Sequence, residues 1–123
     1  PINRLVLERW DYTCAVTGER YPYATGFHDE LEIVAIRPLS EGGPQHVRNC
    51  LPMVAAAANA WRRGDISATQ NHELIVVERY VDVDLLERMR PSRMLFVPDD
   101  AELGPDPEHL AYHRQHVFGA RRG

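Results

Sequence analysis

Residues 31–64, LEIVAIRPLSEGGPQHVRNCLPMVAAAANAWRRG, constrain the fold more than any other stretch of the chain. LEIVAI is an apolar, β-branched run that reads as a strand, and Pro38 ends it because proline has no N–H to give to a ladder. In LSEGGPQ two glycines and a proline leave no regular structure open, so this part is a loop. Asn49 is then placed to cap a helix over residues 51–63, favoured by its alanine run and stopped by Gly64. A strand, a glycine-rich loop and a helix in that order are the parts of a ββα unit, and the rest of the chain has to pack around it.

Apolar residues at Ile2, Leu5, Val6 and Trp10 predict a helix over residues 2–10. CAVTGERYPY predicts a small hairpin turning at Thr17-Gly18, and DISATQNHELIVVERY predicts two strands around Gln70-Asn71-His72. A short helix over residues 84–90, a strand at RMLFVP and a last helix from Pro107 to Gly119 complete the reading. Helices and hairpins mixed in this way predict the α+β class. With 123 residues the chain is long enough for one domain with a real core and too short for two ordinary ones, so residues 1–123 are read as a single domain. At 44% hydrophobic and 26% charged residues it should fold.

The formal charge of −4 argues against a surface coated in basic residues for non-specific nucleic-acid binding. That average hides an asymmetry: residues 36–64 hold Arg37, Arg48, Arg62 and Arg63 against Glu41 alone. All 14 basic residues are arginine; base composition of the genome explains such a bias, although arginine is also the better bidentate phosphate ligand. Cys14 and Cys50 form no CxxC pair and are read as buried thiols. No apolar run approaches the roughly 20 residues of a membrane span, the stretch PINRLVLERW has no signal-peptide pattern, and a cytoplasmic location is the default expectation. The first residue is Pro rather than Met, as in a processed form or in a piece cut from a longer protein with a domain fused upstream.

Hydrolysing a phosphodiester on a ββα unit requires a general base to activate water and a divalent cation to neutralise charge on phosphorus. In this respect YTCAVTGE, LEIVAIRPLSEGGPQHVRN and YHRQHVF, in order and at fitting spacing, resemble the HNH endonuclease family, in particular its restriction-type branch. The resemblance covers almost the whole chain and implies a ββα-metal core with flanking β-hairpins and terminal helices. It also assigns positions. The family's general-base His falls on Ala35, its loop-positioning Asn on Asn49, its helix metal-ligand His on Ala58, and its acidic position on Arg62. An alanine cannot bind a cation and a guanidinium repels one.

The resemblance therefore implies a degenerate nuclease with no cofactor expected, acting as a DNA-binding or accessory module of a restriction or defence protein. Arg37, Arg48, Arg62 and Arg63 are its candidate DNA contacts, with low affinity expected of the isolated domain and no membrane partner. One alternative is an active endonuclease using Mg²⁺ or another divalent cation, with Ala35 engineered from His or with ligands supplied elsewhere. Another is a protein-interaction or dimerisation domain, possible as a homodimer, which the net acidity favours.

Other residues have a functional and an ordinary reading. His46 could replace the missing base, but a loop His is commonly a turn residue. His109, His113 and His116 have a spacing that could bind Zn on one helix face, while packing and hydrogen bonding explain His113 equally well. Asp99, Asp100 and Glu102 could gather a metal or simply be solvated. Trp10 and Trp61 could stack on bases, although core packing suits both better. The run of alanines at 55–58 offers a smooth helix face that helix propensity alone accounts for.

Overall fold

In the computed structural model, residues 2–89 and 91–120 are described. Helix α1 (Ile2–Arg9) leads into a long connection over residues 10–31, after which β1 (Glu32–Ala35) pairs antiparallel with β2 (Cys50–Met53), in a register running from Glu32 opposite Met53 to Ala35 opposite Cys50. Helix α2 (Ala55–Arg63) follows directly, so β1, β2 and α2 form a ββα unit. A second antiparallel pair, β3 (Ile66–Ala68) and β4 (Leu74–Val76), then precedes the short α3 (Val83–Arg88) and α4 (Pro107–Tyr112). From α4 the chain continues into a π turn, His113–Val117. Small antiparallel sheets and separate helices place the protein in the α+β class.

The core gathers between these elements. Leu7 and Trp10 from the first helix and its end, Leu31 and Ile36 from either end of β1, Leu51 and Met53 from β2, and Trp61 from α2 are essentially inaccessible to solvent. Ala57, Ala58 and Ala60 are fully buried too, so the small side chains of α2 let it lie close against the sheet. Burial of this apolar surface, at about 25 cal/mol per Å², is the main favourable contribution to folding.

Several elements differ from the sequence reading. The helix predicted over 51–63 begins at Ala55, because residues 50–53 extend and pair with β1. Pro52 fits that strand: its carbonyl accepts from Ala15 N on the far side, and it has no N–H to lose. Asn49 does not cap α2; Val54 occupies the cap position without a side-chain bond. CAVTGERYPY makes a single bridge, from Arg20 to Thr13 just before it, around the predicted turn, and RMLFVP makes a single bridge, Met94 to Glu73. Neither is a strand. The residues after Met94 divide their bonds between two partners, Leu95 N donating to His72 O and Phe96 N to Ala15 O. The helix expected over 84–90 ends at Arg88, and Arg90 lies outside the described residues. Among the described residues, no helix is long and apolar enough to cross a membrane.

Candidate functional site

Between β1 and β2 the chain makes a long loop, and Asn49 holds it. This side chain is fully buried; its Oδ1 accepts from Arg37 N at 2.9 Å, and its Nδ2 donates to Arg37 O and Pro44 O at 3.0 Å each. One amide thus satisfies three backbone groups that a loop would otherwise leave unpaired. Gly43 allows the close approach, since a Cβ there would run into the Arg37 carbonyl oxygen. His46 stays in the loop as a turn residue, its Nδ1 accepting from Arg48 N.

The loop, β1, α2 and the π turn enclose a cleft of about 430 Å³ lined by Ile33, Ala35, Ile36, Pro38, Leu39, Trp61, Arg62, His113 and Val117. Ala35 is on its wall, whereas Ala58 is sealed in the core. Arg62 reaches across from α2 to β1, its Nη1 2.9 Å from Glu32 Oε1, so the guanidinium is tied to a carboxylate on the opposite wall. A second hollow of about 230 Å³ shares Pro38, Arg62 and Val117 with the first and adds Glu41, Arg63 and His116.

His113 forms the back of the cleft, with only 1% of its surface exposed. Its ring stacks on Trp61 at 3.9 Å between centroids, its Nε2 is 2.9 Å from Trp61 O, and its Nδ1 is 2.7 Å from Ser67 Oγ. A carbonyl oxygen only accepts, so Nε2 carries the proton and Nδ1 accepts from the serine hydroxyl. The imidazole is neutral: burial pushes its pKa down from 6.5 to about 4, against the upward pull of the Trp61 carbonyl.

The other candidate arginines also have partners. Arg37 donates from Nε to Glu41 O at 2.8 Å and lies 4.3 Å above the Tyr112 ring, while Tyr112 donates its hydroxyl to Glu41. That bond to Glu41 raises the Tyr112 pKa. Arg48 donates to Gly104 O at 3.1 Å and Arg63 pairs with Asp65 at 2.9 Å. Arg37, Arg62 and Arg63 therefore border the cleft and its neighbouring hollow or the loop above them, whereas Arg48 is anchored toward the segment before α4.

A divalent cation does not fit the groups at this site. Its lining offers apolar side chains, a guanidinium, and an imidazole with both nitrogens already bonded, and the one adjoining carboxylate, Glu32, is paired with Arg62. Among the described residues, no three His, Cys, Asp or Glu side chains come together in a way that could hold a metal ion. The three-histidine face is not formed: His113 turns inward, and the π turn that starts there breaks the 3.6-residue period, leaving His116 exposed against Tyr112 at 4.5 Å. Asp100 caps a 3₁₀ turn through Glu102 N. Trp10 and Trp61, each 1% exposed, are core residues and not base platforms, and Cys14 and Cys50 are free buried thiols. Sequence reading missed the Glu32–Arg62 pair and the Ser67–His113–Trp61 chain, which join residues 30 to 52 positions apart.

Neither the protein-family models nor the curated proteins give a match to this chain. Among solved structures it is similar to one described as "Modification dependent TagI restriction endonuclease", with a TM-score of 0.65 at 17% identity. The match covers 94% of this chain and 37% of that one, so the chain spans about a third of that neighbour. The likeness is one of fold.

Proposed function

We propose that this chain is a nuclease-like module of a restriction- or defence-type protein, of HNH descent, that contacts DNA and does not cleave it. The observation that carries the reading is the state of the positions assigned to chemistry. Ala35 is a methyl on the cleft wall, Ala58 a methyl in the core, and Arg62 a cation paired with Glu32. Fold likeness to part of a restriction endonuclease agrees with it. Loss of a general base alone costs about 10²–10⁴-fold in rate, and these side chains supply neither a proton acceptor nor a cation ligand.

DNA contact is assigned first to Arg62 and Arg63, adjacent at the end of α2, with Arg37 and Arg48 behind them. Each is engaged within the protein, yet a guanidinium has five N–H donors, and the bond from Arg62 to Glu32 uses Nη1 only. A phosphate can therefore be bound without breaking the internal pair.

The test combines duplex binding across a salt series with nicking of supercoiled plasmid in Mg²⁺ or Mn²⁺. The expected result is salt-sensitive binding, weakened in Arg62→Ala/Arg63→Ala, with no nicking. Nicking that EDTA abolishes would establish the active-endonuclease reading instead. Tyr23 and Phe27, 93% and 66% exposed, favour a second reading as a protein-interaction or dimerisation domain. A flat isotherm with duplex and single-stranded DNA at low salt, together with a stable dimer in solution, would promote it.

A further inference from the structure

We infer that the cleft between β1, α2 and the π turn is a binding site for one nucleotide, its planar base between apolar walls and its phosphate on Arg62. The choice of a nucleic-acid ligand rests on the function proposed above; the cleft's shape and chemistry do not. Its volume of about 430 Å³ lies within the usual range for a bound small molecule, ~300–1,000 Å³. Ile33, Ile36, Leu39 and Val117 form walls suited to a flat apolar body. Ala35 keeps the space open, because any longer side chain there would occupy it.

Two polar features define what enters. Trp61 lines the cleft, and its Nε1–H is the one buried side-chain polar atom without a hydrogen-bond partner among the described residues. A buried donor left unpaired is costly, and a ligand whose entry opens the indole edge to a ring nitrogen or carbonyl of a base would remove that cost. The second feature is Arg62, whose side chain is 49% exposed and stands where the cleft joins the hollow lined by Arg63 and His116. Glu32 and Glu41 lie close as well, but Arg62 pairs with the first and Tyr112 donates to the second. Inorganic phosphate would leave the apolar walls and the indole N–H unused, and an alkyl chain would offer that N–H no acceptor.

The experiment is a ¹H–¹⁵N titration of the two tryptophan indole resonances with deoxynucleoside 5′-monophosphates, the Trp61 signal being assigned through its contacts with the His113 ring. Inorganic phosphate, the unphosphorylated nucleosides, a 5′-phosphorylated single strand and a blunt duplex are the other arms. The Trp61 resonance should move with the monophosphates while that of Trp10 stays, and inorganic phosphate should bind at least about tenfold more weakly. Ala35→Leu and, at the exposed rim, Leu39→Asp should each weaken monophosphate binding about tenfold or more. Arg62→Gln should weaken the monophosphates and leave the nucleosides unchanged.

A single strand binding more tightly than the monophosphate would support a strand end as the occupant, and equal binding a free nucleotide. A still Trp61 resonance, equal affinity for inorganic phosphate, or indifference to both Ala35→Leu and Leu39→Asp would overturn the site. Duplex binding that persists in that case leaves the proposed function standing. Nucleotide binding without duplex binding supports the site and removes the DNA module.

Discussion

Buried, neutral His113 should make the protein lose stability in mild acid, over a range set by its own titration. Unfolded, the imidazole takes a proton near pH 6.5; folded, burial delays this to about pH 4. Above pH 6.5 it is neutral in both states and stability does not depend on it. As pH falls from 6.5 to 4, only the unfolded chain gains the proton, and the folded state loses about 1.4 kcal/mol per pH unit, roughly 3 kcal/mol in all. At pH 5 the loss is about 2 kcal/mol, worth roughly 6–10 °C in Tm for a chain of this size. Urea or thermal melts between pH 8 and pH 5 measure it, beside His113→Gln, which keeps a donor for Trp61 O and an acceptor for Ser67 but cannot titrate. His72, also lowered by burial, adds in the same direction and is common to both proteins. Wild type should lose stability more steeply than the variant; parallel slopes from pH 7 to pH 5 would refute the buried neutral imidazole.

Asn49→Ala should cost about 2–4 kcal/mol by urea denaturation, because it strands Arg37 N–H and two carbonyls together, and should raise amide exchange in residues 37–44. Gly64→Ala should destabilise by more than the ~1–2 kcal/mol of a left-handed backbone, since at φ +79° its Cβ would also meet the Val117 carbonyl. Arg62→Ala breaks a half-exposed ion pair and should cost no more than about 1 kcal/mol in a thermal melt, so any loss of DNA binding is separable from unfolding.

The strand at LEIVAI, the glycine-proline loop apart from the 3₁₀ turn over Leu39–Glu41, the hairpin around Gln70-Asn71-His72 and the start of the last helix at Pro107 were legible because each carries a local signal. Asp106 caps that helix as its side chain should, accepting from Glu108 N. The start of α2 was not legible: Pro52 is tolerated both in a first helical turn and at a strand position that needs no N–H, so the alanine run pulled the boundary upstream. Asn49 was identified as a loop residue through family resemblance and as a helix cap through local pattern. In the structure its side chain turns back into the loop. The tie between Glu32 and Arg62 and the turning inward of His113 depend on tertiary placement. A π turn has no signature in HRQHV that periodicity could reveal.

One consequence follows from how the back of the cleft is built. Gly119 N donates to Gly64 O and the Val117 carbonyl lies against Gly64, so residues about fifty positions apart are clasped together. The opposite wall comes from residues 33–39. A ribosome must release nearly the whole of this sequence before those two walls can meet, and the loop-closure entropy is then met in one late step. A chain that already holds its ββα unit but lacks residues 113–119 would still lack the hollow, so the cleft depends on this late clasp rather than on early collapse.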